Sequence, residues 1–238
     1  MPDEEGHLVE ESSRETGNRS ALILGATGLV GSHCVDLLLN DPRYSSVRII
    51  GRRSLGISNP RLKERITELE RMEAEVDLFA VDDVFCCLGT TIKKAGSQEA
   101  FSRVDVEYPT RAAKLAAKAG ARRFLVVSAL GANARSRIFY NRAKGQMEEQ
   151  VRRATGGVVW IMRPGLLVGE RPEPRMGELV GEAVLRILKP VMIGSMRRYR
   201  AIKARDVAKA MITLANSSGA GGSIESDEIF TIASRTAG

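Results

Sequence analysis

The stretch "LILGATGLVGSHCVDLLL", Leu22 to Leu39, decides the fold. It begins inside a short apolar run, "ALILG" (21–25), crosses three spaced glycines and continues into a helix-length segment, 29–40. A continuous apolar run of this length suits a strand buried on both faces of a parallel sheet. Gly25, Gly28 and Gly31 stand where that strand must turn into the helix. There a tight turn, a close backbone approach to a pyrophosphate and close helix–sheet packing each exclude a Cβ. The helix N-terminus beyond them presents free N–H groups and a partial positive charge. A tight turn with no ligand is the plainer alternative, but the strand–turn–helix setting is the context a dinucleotide fingerprint requires. The expectation is a phosphate cradle built from Gly25, Thr27, Gly28, Leu29, Val30 and Gly31.

Working outward, similar apolar runs recur as "VRIIG" (47–51), "DVFCCLG" (83–89), "RFLVVSA" (123–129) and "VVWIMRPG" (158–165). Helical segments are expected at 29–40, about 98–119, 139–154, 175–189 and 205–216, with Pro109 delaying or kinking the second. "ITELERM" reads as the edge of a third strand, and "EIFTI" (228–232) as a last short strand. Loops are expected at 169–178, over the ligand crevice, and at 216–223. The βαβα order predicts an α/β, Rossmann-like doubly wound parallel sheet with helices on both faces. A small substrate-side lobe is expected at about 165–204. Residues 1–19, acidic and polar, read as a disordered tail, and 20–238 as a single NAD(P)-binding domain.

The 238 residues carry 43% hydrophobic side chains, ample for a core, and no apolar run near the ~20 residues of a membrane span. The N-terminus lacks the basic and apolar regions of a secretory signal, so the cytoplasm is expected. Three cysteines form no CxxC pair, and with only His7 and His33 beside them no metal site is expected. The net charge of +7 accommodates an anionic ligand. The basic residues are scattered, with only "MRRYR" (196–200) locally dense, which argues against nucleic acid as the main partner. A monomer and a homodimer are both compatible with the sequence.

The second strand ends "IIGRRS", placing Arg52 and Arg53 where an NAD site usually carries a carboxylate for the ribose 2′-OH. A guanidinium pairs bidentately with a 2′-phosphate, so NADP(H) is favoured over NAD(H). Glu70 is a candidate acceptor for the adenine amino group, or a plain surface carboxylate. Gly89 admits a ligand close to the backbone, and Thr90 and Thr91 offer hydroxyls, at the end of the fourth strand. Ser128 ends the fifth strand, facing the crevice or capping the turn.

Tyr140 and Lys144, in "FYNRAKG", are four apart on an expected helix and share a face. Tyr199 and Lys203, in "YRAIK", repeat the spacing in an extended segment, where four residues span about 13 Å. Only the first pair is close enough to cooperate. Reducing a ketone generates an alkoxide that needs a proton. A tyrosine supplies it if its pKa is drawn from ~10 toward neutrality. A neighbouring ammonium favours the phenolate, and Ser128 is suited to orient the carbonyl oxygen.

"GATGLVG", Ser128, Tyr140/Lys144, "RPG" (163–165) and "RDVA" (205–208) together resemble the short-chain dehydrogenase/reductase superfamily, in its extended or atypical branch. "FCCLGTTIKKAGSQEAFSRVDVEY" is similar, more narrowly, to the HIV Tat-interacting-protein-like atypical reductases. The resemblance runs from about residue 20 to about 215. It implies a Rossmann-type fold with NADP(H), pyrophosphate at Gly25 to Gly31 and 2′-phosphate at Arg52. It further implies nicotinamide-side contacts from Leu88 to Thr91, and Pro164, Gly165 and Leu166 flanking the nicotinamide. Ser128, Tyr140 and Lys144 map onto the superfamily's catalytic triad. The leading expectation is an NADP(H)-dependent oxidoreductase acting on a small carbonyl compound. The alternative is an NADPH-binding, redox-responsive regulator with little or no turnover. A sugar-nucleotide epimerase or dehydratase is disfavoured, since residues 166–238 leave little chain for a separate substrate domain. Arg171 and Arg175 are candidate contacts to an acidic substrate, or parts of a solvated charged loop.

Overall fold

The computed structural model describes residues 17–169 and 201–235. The expected helix 175–189, Arg171, Arg175, Tyr199 and nearly all of the acidic tail lie outside the described residues. Strand β1 (Arg19–Leu24) leads into helix α1 (Leu29–Asn40), followed by β2 (Tyr44–Gly51) and β3 (Leu62–Ile66). A 3-10 segment (Leu69–Phe79) leads to β4 (Asp83–Cys86). Beyond it come two short helices, α2 (Ile92–Ala95) and α3 (Gln98–Ser102), a π turn (Arg103–Glu107) and α4 (Tyr108–Lys118). Then follow β5 (Arg123–Val127), α5 (Phe139–Ala154), β6 (Val158–Arg163) and β7 (Leu167–Val168). The chain resumes with β8 (Ile202–Lys203), α6 (Ala204–Ala215), β9 (Gly222–Glu225) and α7 (Ser226–Arg235).

Seven of these strands form one parallel sheet in the order β3-β2-β1-β4-β5-β6-β9. This is the doubly wound arrangement expected from the sequence, with its order reversing between β1 and β4. The period-2 alternation of a strand feeds two separate cores. Ala21 and Ile23 of β1 point into the layer of α1, α6 and α7, whereas Leu22 and Leu24 point into the layer of α4 and α5. Leu125 and Phe124 divide in the same way on β5, as do Trp160 and Val159 on β6. Burying Leu22, Ile23 and Leu24 completely stabilises by about 1.5–3 kcal/mol each. That offsets the about 1–2 kcal/mol cost of fixing each residue's backbone. The buried centre of the sheet is the mount for the loops that its C-terminal edge carries.

The structure corrects several boundaries. β1 begins at Arg19, inside the expected tail, because that arginine is held by Asp83 at 2.5 Å and by Asn216. The third strand is Leu62–Ile66; most of "ITELERM" falls in the turn and 3-10 segment after it. "EIFTI" is helical, inside α7, with Ile229 and Ala233 buried four residues apart and Phe230 exposed. The last strand is instead Gly222–Glu225, starting in the expected glycine-rich loop. Gly221 has φ +92°, and a Cβ there would lie 2.5 Å from the Val159 carbonyl oxygen. Glycine is what lets this edge reach β6. The expected helix 98–119 is broken where Pro109 predicts a disturbance. In a regular helix its ring would meet the carbonyl of Asp105. The chain widens there, and Tyr108 N–H bonds the Arg103 carbonyl five residues back.

Candidate functional site

At the exit of β1, Gly25 takes φ +82°, and a Cβ on it would sit 2.6 Å from the Cys87 carbonyl oxygen. The turn closes with Gly28 N–H donating to Gly25 O at 2.9 Å, and α1 begins with Ser32 N–H donating to Gly28 O. A Cβ at Gly31 would fall 2.2 Å from that same Gly25 oxygen. Strand, turn and helix are thus packed backbone against backbone, as anticipated from the spacing. Gly28 caps α1 with no side chain, and the first turn has no acidic residue. The N-terminal N–H groups of Leu29, Val30 and Gly31 have no partner within a helix.

Two clefts meet over this loop. The first, of about 510 Å³, is lined by Gly25, Thr27 and Gly28, by Arg52 and Arg53 beyond β2, and by Glu70. Its other wall includes Leu88, Gly89 and Thr90. The second, of about 360 Å³, shares Gly28 and Cys87 to Thr90 with the first. It adds Leu29, Val30, Thr91, Ser128, Tyr140 and Lys144, with Pro164, Gly165 and Leu166 on the far side. Apart from Gly31, which packs beneath the loop, and Arg171 and Arg175, which lie outside the described residues, the candidate cofactor and catalytic residues line two adjoining clefts along the C-terminal edge of the sheet.

Helix α5 delivers three polar side chains at successive turns: Tyr140, Lys144 and Glu148. It lies close to the loop after β5 because Gly145 touches the backbone of Asn133 and Ala134; a Cβ would fall 2.1 Å from Ala134 N. Tyr140 is half-buried, its ring tilted against Phe101 with centroids 5.7 Å apart. Lys144 is buried and paired with Asp105, Nζ to Oδ1 2.8 Å. Burial opposes its charge, but the Asp105 carboxylate and then Tyr140 outweigh burial and hold its pKa above the usual lysine value. The other Asp105 oxygen accepts the Thr90 N–H at 2.8 Å.

Ser128, buried at the end of β5, donates to Glu148 Oε1 at 2.5 Å. Arg163 grips Glu148 through both Nε and Nη2, and reaches Glu225 with Nη1 at 3.0 Å. These ion pairs push the Arg163 pKa up. Glu70 accepts the Tyr108 hydroxyl, which lowers its own pKa. Burial and then Glu70 push Tyr108 up to about 12. Thr91 is partly committed, its oxygen capping α2 from Lys94 N–H at 3.1 Å.

Asp105 and Glu148 escaped the sequence reading. Glu148 was accessible to it, because the spacing that joins Tyr140 to Lys144 repeats once more. Asp105 was not, because its inward turn depends on the π geometry before Pro109. Of the rival pair, Lys203 lies with Ile202 in the extended β8, and Tyr199 lies outside the described residues. No helix among the described residues is long and apolar enough to cross a membrane.

Comparison with known proteins agrees with this geometry. The protein HTATIP2 of Rattus norvegicus is 34% identical over 182 residues, covering 75% of each chain. The protein FMP52, mitochondrial, of Candida albicans is 31% identical over 202 residues, covering 82% of this chain and 87% of its own. Among solved structures, MoeE5 in complex with UDP-glucose and NAD superposes with TM-score 0.66 at 17% identity, over 92% of this chain and 82% of that one. A UDP-N-acetylglucosamine 4-epimerase from Methanobrevibacter ruminantium reaches 0.63 at 17% identity, over 87% and 76%. These superpositions establish the fold. A sequence profile described as the NAD dependent epimerase/dehydratase family matches residues 21–233. With that match, and with HTATIP2 of Rattus norvegicus and FMP52 of Candida albicans as relatives, the chain belongs to the NAD dependent epimerase/dehydratase family.

Proposed function

We propose that the protein is an NADP(H)-dependent oxidoreductase that reduces a small carbonyl compound, with residues 20–238 acting as one nucleotide-binding domain. The observation that carries this reading is the adjacency of the two clefts. One end is a phosphate cradle with Arg52 and Arg53; the other holds Ser128, Tyr140 and Lys144. A dinucleotide suits the residues present, since the glycines let β1, the turn and α1 pack backbone against backbone and so bring the first turn of α1, at Leu29 and Val30, to the cleft wall with no acidic residue in it. Arg52 and Arg53 favour the 2′-phosphate, hence NADP(H) over the NAD named for MoeE5.

When bound, the nicotinamide supplies the hydride. The chain's own residues place and protonate the substrate. The Tyr140 hydroxyl gives its proton to the carbonyl oxygen as negative charge develops there. Lys144, a fixed ammonium one helical turn away, favours the phenolate left behind. Ser128 positions the oxygen, exchanging its bond to Glu148 for one to the substrate. The three free cysteines accord with a reducing compartment, which the expected cytoplasm and the mitochondrion named for the fungal relative both provide.

Tyr140→Phe tests the reading. Carbonyl reduction is expected to fall by about 10²- to 10⁴-fold while NADPH binding is retained. Undiminished turnover in the variant would remove Tyr140 from the chemistry. NADPH binding with no reductase activity across a broad carbonyl panel would favour a cofactor-responsive regulator instead.

A further inference from the structure

Lys144 and Asp105 are almost sealed from solvent, with side chains 5% and 1% exposed. A buried ammonium without a counter-charge sheds its proton rather than remain charged. Among the described residues, the groups facing this one are few. Asp105 comes from the π turn, Tyr140 from the preceding turn of α5, and the Cys86 thiol from β4. The Val127 carbonyl of β5 lies at 3.5 Å. Glu148, one turn further along α5, is already balanced by Arg163. Asp105 is therefore the carboxylate that keeps Lys144 charged, and it has a second attachment. Its Oδ2 holds the Thr90 N–H, in the loop that borders both clefts.

We propose that Asp105 is the positioning residue of this site, fixing Lys144 as an ammonium beside Tyr140 and tying it to the Gly89–Thr90 loop. It acts through Lys144 and takes no proton from the substrate. The proposal rests on the reading in which Lys144 assists Tyr140. Its structural consequence is that the lysine and the cofactor-side loop move as one unit. A ligand that presses on Gly89 or Thr90 is registered at the lysine through a single carboxylate.

The test is a pH titration of the Lys144 side chain by NMR, in full-length protein carrying ¹³Cε-labelled lysine, with the signal assigned by Lys144→Arg. In the wild type the signal is expected to stay that of an ammonium up to about pH 10. In Asp105→Asn, which keeps an oxygen for Thr90 N–H but loses the charge, the midpoint is expected to drop by at least about two pH units. An identical midpoint in both proteins would overturn the proposal. If Asp105→Asn fails to fold, the double variant Asp105→Asn/Lys144→Met, which removes the stranded charge, is expected to fold and support it. Failure of the double variant as well would overturn it. NADPH affinity of the same wild-type sample, read by nucleotide fluorescence, separates the two levels. Absent binding would sink the proposed function while the lysine midpoints still decide the role of Asp105.

Discussion

The Ser128 hydroxyl spends its only proton on Glu148, 2.5 Å away, at the wall of the cleft. The pair joins the end of β5 to α5, and Arg163 carries the linkage on to β6 and β9. Removing the two partners has unequal consequences. Glu148→Ala strands both the serine and part of the Arg163 guanidinium, though Arg163 keeps Glu225 and some solvent. The expected loss is about 1–3 kcal/mol, against about 1 kcal/mol or less for Ser128→Ala. Urea denaturation of both variants measures the difference, and the reverse order would contradict this account of the network.

Arg52 and Arg53 line the cleft from the end of β2, where a carboxylate would favour a free ribose hydroxyl. Arg52→Met is expected to weaken NADPH binding by about tenfold or more, as loss of a charge-assisted hydrogen bond does, and to leave NADH binding nearly unchanged. Fluorescence titration with both nucleotides reads the ratio. Equal weakening of both would place the arginine elsewhere than on the 2′-phosphate.

The glycine turn tolerates no side chain at its buried contact. In Gly31→Ala the new Cβ meets Gly25 O at 2.2 Å, a backbone atom that cannot swing aside. The expected cost is about 1–3 kcal/mol of stability from overpacking, with dinucleotide affinity lost as the turn is displaced. Thermal melts with and without NADPH follow both effects; a ligand-induced rise as large as the wild type's would refute the second.

Burial pushes the Cys86 thiol up to about 12, and Cys87, hydrogen-bonded to Cys34 at 3.9 Å, also lies well above the ordinary thiol range. Thiolate is the reactive form. Folded protein is therefore expected to react slowly with a disulfide reagent near neutral pH, and all three cysteines to react rapidly in denaturant. A fast single-thiol phase in the folded protein would contradict the suppressed thiolate form of Cys86 and Cys87.

Asp41 is pushed upward by burial but downward by more, through its bonds to Arg43, so its folded pKa lies below the ordinary value. A depressed carboxylate stabilises the fold above its unfolded pKa of about 3.9, and that contribution disappears as pH falls through the folded value. Wild-type stability is expected to decline more steeply than that of Asp41→Asn between about pH 5 and 3. Parallel curves from acid-range denaturation would show that Asp41 contributes nothing.

The first βαβ unit was legible because two independent signals agree there, an uninterrupted apolar run and glycines whose missing Cβ atoms are demanded by backbone contacts. Tyr140 and Lys144 were legible because helical spacing alone brings them to one face. "EIFTI" misled for the opposite reason. Five residues rich in branched side chains satisfy either period, and the choice was made by Ile229 and Ala233 finding a helical core. The glycine-rich approach to β9 resembled a loop by composition, yet glycine is required at 221 to pass the Val159 carbonyl. Asp105 was hidden most deeply. Its partners, Lys144 and Thr90, lie 39 and 15 residues away, and nothing local announces that a carboxylate in "RVDVEY" turns inward.

Gly145 has a further bearing on how the site can vary. The position of α5 is gauged against main-chain atoms of Asn133 and Ala134, which every residue type supplies alike. Tyr140, Lys144 and Glu148 behave as teeth of one comb seated on that stop. A bulkier residue at 145 would shift the whole row in concert.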